Sequence, residues 1–193
     1  MSFYQQLEKA GLPIRNNRTR LYVLTETRAE RNLLARLEFH EVVHYPLWHL
    51  DAQAGLEPYT PWLCVPEPDS DFDLWLGKAF ETMPMIVLFA RMSPDEVRRH
   101  LKHFSKFVEG TRRFILRLGT PSALQLYIAS IAHTSSAVSR FFADGEIEEM
   151  YFHDPQASLS RRVQPLFEQQ RHEEAECDGC LVWLDLPVDQ EAR

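Results

Sequence analysis

His40, Glu41 and His44 stand in the order His-Glu-Val-Val-His, the spacing with which zinc peptidases hold their metal. Two imidazoles four residues apart share one face of a helix, and the glutamate between them can activate a zinc-bound water. Pro46 works against that geometry. A proline disfavours helical backbone at the residue before it, here Tyr45, and its ring clashes with the carbonyl four residues back, that of Val42. The pair would then sit at a fraying helix end. The longer metzincin pattern also wants glycine and histidine at 47 and 50, where the chain has Leu47 and Leu50. Polar side chains at a helix end are the expectation; a zinc metallohydrolase on His40, Glu41 and His44 is the alternative.

Cys177-Asp178-Gly179-Cys180 has the spacing of half a zinc site or a redox pair. A structural zinc site needs four ligands, and only His172 and Cys64 remain to complete it. Asp-Gly between the cysteines is a turn signature, so a two-cysteine turn is expected. Nucleophile patterns are missing as well: there is no Gly-x-Ser-x-Gly elbow and no glycine-rich phosphate loop, and Ser135-Ser136 near His133 lacks a neighbouring carboxylate. The chain is expected to be no enzyme, with no catalytic residue, cofactor or metal.

Charge offers a second kind of chemistry. Residues 98–117 hold Arg98, Arg99, Lys102, Lys106, Arg112, Arg113 and Arg117 against one acid, Glu109. A solvated helix face is the ordinary explanation. The functional one is a basic strip facing an acidic protein or the chain's own acidic tail, with Arg98, Arg99, Lys102, Lys106, Arg112 and Arg113 as the partner-binding residues. Nucleic acid ranks behind both, because no interleaved aromatics mark a stacking platform. Apolar anchors for such a contact would come from Trp48, Trp62, Trp75 and Trp183.

The 193 residues fit one domain, or one with an appended element. Apolar residues make up 45% and aromatics 11%, enough to offset chain entropy, so a folded globule is expected. A net charge of −7 favours solubility and argues against a general nucleic-acid binder. Met1 to Glu8 shows neither a basic n-region nor an apolar h-region, so no secretory signal is expected. Met85–Ala90, the longest strongly apolar run, is far short of the roughly 20 residues of a membrane helix. Three cysteines fit reduced thiols in a cytoplasmic protein.

The pattern of residues predicts the elements that must position these groups. Ser2 caps a helix ended by Gly11, and Leu21–Leu24 is a buried strand. Leu33, Leu34 and Leu37 predict an amphipathic helix over 28–39. The stretch 42–50 is split by Pro46, and Trp62–Val65 is a short strand at an edge. A helix over 71–80 leads to a core strand, Met85–Ala90. Ser93, Pro94 and Glu96 then form a capping box, opening a helix with Val97, Leu101, Phe104 and Val108 as its apolar stripe. A strand near 113–118, helices over 121–131 and 135–142, and a strand at 147–152 follow. Strands alternating with helices predict an α/β protein: a mixed sheet with flanking helices, a helical C-terminal part of the core at 119–145, and a short appended extension. The core is 1–153 and the acidic extension 154–193, with a helix over 160–174 and a strand at 181–184. Residues 168–191 carry eight acids against Arg171.

From about Leu21 to Asp154 the order of features resembles the effector-adaptor chaperones of bacterial type VI secretion, the Tap or Tec family. Pro61-Trp62-Leu63 is similar to the family's proline-aromatic-leucine strand. Met85–Ala90 leads into a Ser-Pro-capped helix carrying His100-Leu101-Lys102, like the family's His-Leu-Arg. Arg117, with Pro121 and Leu124 after it, resembles the Arg-Phe-Tyr-Asp-Pro stretch, and Phe141-Phe142 precedes the last strand. Leu118-Gly119-Thr120 replaces Phe-Tyr-Asp, although Thr120 can cap the next helix as aspartate would. From Pro155 onward the likeness stops. The resemblance implies a non-enzymatic cytoplasmic adaptor that binds a toxic effector and helps load it onto the VgrG spike, without cofactor, nucleic acid or membrane. It carries over no catalytic residues. An immunity or inhibitor protein is a further alternative.

Overall fold

A computed structural model describes residues 1–14, 18–48, 55, 57–166 and 175–186, with the backbone alone at 107, 109 and 113. In chain order the elements are α1 (Phe3–Lys9), β1 (Arg20–Glu26), α2 (Leu33–Phe39), β2 (Val43–Pro46), β3 (Pro61–Val65), α3 (Asp71–Ala79), β4 (Met85–Ala90) and α4 (Pro94–His103). Then come β5 (Lys106–Glu109), β6 (Arg112–Ile115), α5 (Pro121–Ile131), α6 (Ser135–Phe141), β7 (Ile147–Asp154), β8 (Leu159–Pro165), β9 (Glu176–Asp178) and β10 (Leu181–Asp185).

Helix starts follow local chemistry. The Ser2 hydroxyl accepts from the Gln5 N–H at 3.3 Å, and the Gln5 side chain accepts from the Ser2 N–H at 3.1 Å. The Glu96 carboxylate accepts from the Ser93 N–H at 2.8 Å and from its hydroxyl at 2.6 Å, with Pro94 as first helical residue. α2 begins at Leu33 rather than Arg28. The Arg28 N–H donates to the Pro58 carbonyl at 2.7 Å and that of Ala29 to Glu26 at 2.9 Å, which holds this stretch in a turn.

Eight strands form one sheet in the order β2-β3-β1-β4-β7-β8-β10-β9. The α/β class expected from the sequence is what forms, but every pairing is antiparallel rather than mixed. Helices cover both faces. On one, α1, α2 and α3 bring Phe3, Leu7, Leu33, Leu37, Phe72 and Leu76 onto Leu21, Val23, Met85, Val87, Phe89 and Tyr151. On the other, Val97, Leu101, Leu124, Ile128, Val138 and Phe141 of α4, α5 and α6 meet Tyr22, Leu24, Ile86, Leu88, Met150 and Phe152. Burial on both sides explains why β4 is apolar without alternation. β3, expected at an edge, lies between β2 and β1, and the proline-bearing β2 takes the edge.

α1 and α3 approach closely. A Cβ at Gly77 would stand 2.5 Å from the Met1 carbonyl oxygen and 2.8 Å from the Phe3 nitrogen. The buried Asp73 carboxylate accepts from the Tyr4 N–H at 2.9 Å and from that of Asp69 at 3.1 Å.

Beyond Asp154 the structure departs from the expected extension. The helix expected over 160–174 is replaced up to Pro165 by β8, paired with β7, while 167–174 lie outside the described residues; β10 and β9 continue the sheet. Val163, Leu181 and Trp183 belong to the core on the α5 side. The other face of β8 is polar yet buried. Arg162 Nε donates to Glu149 Oε2 at 2.8 Å, and Gln164 donates to the same oxygen at 2.6 Å. Burial pushes the Glu149 carboxyl up, against the opposing pull of Arg162.

His153 is buried and His100 half-buried, and in both this favours the neutral form. His153 donates from Nε2 to the Phe80 carbonyl at 2.6 Å and stacks on the Phe80 ring, with Tyr151 and Asp154 nearby. His100 links α4 to α6 by a 2.8 Å bond to the Phe141 carbonyl, with His103 and Asp144 as the charges near it. Burial lowers both below the ordinary 6.5, so the unfolded chain binds these protons first. Stability is therefore lost as pH falls through about 6.5. Glu149 titrates with the opposite sign, so a comparison isolates the histidines. The melting temperature of the wild type should drop between about pH 7.5 and pH 5.5 more than that of a His100→Gln/His153→Gln variant. Parallel curves would refute this.

Candidate interaction surface

β5 and β6 form a two-stranded sheet of their own, joined through Gly110-Thr111, with Gly110 at φ +59° where the tight loop turns. This hairpin corrects two sequence expectations. The helix begun at Ser93 ends at His103, so Lys106 and Val108 lie on β5. Val108 is therefore no part of an apolar helix stripe; it is 71% exposed, and Phe114 and Ile115 of β6 are 44% and 41% exposed.

The six basic residues divide. Arg98 is half-buried on α4, 3.2 Å from Asp95 and with its guanidinium 5.7 Å from the centre of the Tyr45 ring. Arg99 takes the other oxygen of Asp95 at 2.9 Å. Lys102, Lys106 and Arg112 are exposed, and none has an ion-pair partner among the described residues. Arg113 sits on β6, opposite Val108. The structure thus brings four cations and three apolar side chains onto one hairpin and the helix end before it, while Asp95 engages the other two arginines.

Arg117 plays a different part. Its guanidinium meets the buried Glu26 carboxylate at 2.5 Å and lies 4.8 Å from the Tyr59 ring centre. Thr120 stands at the N-cap of α5 without a side-chain capping bond; its hydroxyl instead donates to Glu26 at 2.7 Å. A Cβ at Gly119 would stand 2.6 Å from Glu26 Cγ. The segment that resembles the adaptor motif is thus a brace from α5 to the end of β1. Glu26 and Tyr59 were missed in the sequence because nothing local distinguishes a carboxylate at a strand end.

The His-Glu-Val-Val-His segment has no helical face. α2 stops at Phe39, Glu41 takes a left-handed φ of +51°, and His44 lies on β2. The His40 ring packs on Phe72, whereas His44 bonds the Val42 carbonyl at 2.7 Å and packs on Trp62. Among the described residues no three His, Cys, Asp or Glu side chains gather as metal ligands. His172 lies outside the described residues.

Cys177 and Cys180 flank the turn from β9 to β10, as Asp-Gly predicts. Gly179 has φ +55°, and a Cβ there would run into the Ala132 carbonyl oxygen. The Cys180 N–H donates to that oxygen at 2.8 Å, and His133 meets Asp178 at 3.1 Å. Cys64 is buried, which pushes its thiol up to about 12 and removes it as a nucleophile.

The tryptophans are largely structural. Trp183 and Trp48 are core, Trp75 stacks on Phe72, and Trp62 donates to the Thr27 hydroxyl at 2.9 Å. Trp48 and Trp62 also line an open cleft of about 800 Å³ with Arg28, Arg31, Leu34 and Pro46.

No family model, curated protein or solved structure matches the chain. No helix among the described residues is long and apolar enough to cross a membrane.

Proposed function

We propose that the chain is a non-enzymatic adaptor that binds a type VI secretion effector in the cytoplasm and helps load it onto the VgrG spike. The observation that carries this reading is the hairpin of β5 and β6. A chain of net charge −7 gathers Lys102, Lys106 and Arg112, without ion-pair partners among the described residues, near exposed Val108, Phe114 and Ile115, and none of these side chains belongs to either core. Apolar groups ringed by charge are what a protein contact needs: the first supply affinity, the second selects the partner and speeds encounter. The ordered likeness from Leu21 to Asp154 supplies the identity of the partners. In this reading the partners are a toxic effector and the VgrG spike.

Affinity capture from the native host, followed by mass spectrometry, tests it. The tagged chain should bring down one toxin together with VgrG. Recovery of neither would remove the adaptor reading. Loss of the toxin's activity on mixing with the pure chain would point instead to an immunity protein.

A further inference from the structure

We infer that the hairpin of β5 and β6 takes an extended acidic segment of the partner, added as a third strand along its free edge. This rests on the adaptor reading and narrows it to one surface and one chemistry.

Among the described residues neither strand has a second hydrogen-bonded neighbour. A lone two-stranded ribbon is marginal in water, and its edges present unpaired N–H and C=O groups that template another strand. Strand addition satisfies those groups through the main chain, while side chains of the hairpin choose the sequence that enters. No proline interrupts 105–116, so nothing in the chain chemistry blocks such pairing.

The side chains say which strand fits. In the register of the hairpin, Lys106 faces Ile115 and Val108 faces Arg113 across the ladder, so apolar and cationic groups share one face. Phe114 and Arg112 stand two residues apart on the other. A strand alternating acidic and β-branched residues would set its carboxylates on the face of Arg112 and its methyl groups by Val108 and Ile115, while the charge of Lys106 on that second face adds longer-range attraction. The same cations repel a second copy of this hairpin, which carries identical charge. They therefore disfavour self-pairing and leave the edge to an acidic partner. An anionic polymer or bilayer would meet the remaining surface, which is strongly acidic because the chain is −7 despite this basic stretch.

The test uses the whole chain and a synthetic peptide of alternating valine and glutamate. Hydrogen exchange at 106–115 should be fast in the free chain and slow with the peptide present. Affinity should fall by at least about tenfold in K106E/R112E, fall with added salt, and vanish for the peptide with lysine in place of glutamate. Unchanged exchange at 106–115, equal binding of the lysine peptide, or protection by single-stranded DNA or phosphatidylserine vesicles instead would overturn the inference. Lys106 and Arg112 are exposed and belong to neither core, so K106E/R112E should melt like the wild type; if it does not, Val108→Ser provides a second comparison. Failure here with toxin capture intact removes only the hairpin assignment, whereas failed capture removes the adaptor reading.

Discussion

Arg162→Ala should cost the fold about 3–5 kcal/mol, because it leaves the Glu149 carboxylate buried without its counter-ion. Both side chains are almost wholly covered, and Arg162 reaches Glu149 Oε2 through both Nε and a terminal nitrogen, at 2.8 and 2.5 Å. Glu149 Oε1 has no hydrogen-bond partner, so the carboxylate depends on what reaches the other oxygen. Without Arg162, the Gln164 hydrogen bond is left to oppose the burial that already pushes this carboxyl up. The unfolded chain would then release this proton at lower pH than the fold does. The deficit should therefore grow as pH rises above the ordinary 4.5 and shrink toward acid. Replacing both partners by leucine and methionine should recover most of the loss, since apolar groups of similar volume carry no desolvation penalty. Urea denaturation at several pH values compares the wild type with both variants. A loss for Arg162→Ala below about 1 kcal/mol would show that the pair is solvated, contrary to this account.

Trp183→Ala should cost a similar amount, about 3–5 kcal/mol, as buried aromatic truncations do. Trp183 is only 3% exposed; it packs near Phe152 of β7, and the Arg161 guanidinium lies 4.8 Å from its ring centre. The prediction distinguishes a tail that is part of the core from one merely attached to it. In the first case unfolding stays a single transition with a lower midpoint in denaturant. A variant that leaves the main transition where it was would place β8 to β10 outside the cooperative unit.

Much of the fold was legible because its signals are local. Ser2, Ser93 with Pro94 and Glu96, and Pro121 announce helix starts through hydrogen bonds or dihedral angles set within one turn. Met85–Ala90 reads as a strand because both its faces are covered. β8 was misread because one of its buried faces carries Ser160, Arg162 and Gln164, whose burial depends on Glu149 and Tyr151 of the neighbouring strand. No window along the chain contains that partnership. The hairpin was hidden by a coincidence of spacing: Val97, Leu101, Phe104 and Val108 continue a helical period past the point where Lys102 and Ser105 close the last turn. The basic residues are visible in the sequence, and so is the spacing of three and four residues that lets Asp95 engage Arg98 and Arg99 on one helix face. The apolar half of the surface, Phe114 and Ile115, emerged only when β6 paired with β5.

Amine-reactive cross-linking in the native host, read by mass spectrometry, addresses the main claim most directly. Lys102 and Lys106 border the hairpin, while Lys9 and Lys78 lie on α1 and α3 across the sheet. An adaptor that docks through this hairpin should give cross-links from Lys102 and Lys106 to one toxin and its spike. Cross-links to a partner from Lys9 and Lys78 alone, or to no protein at all, would contradict it.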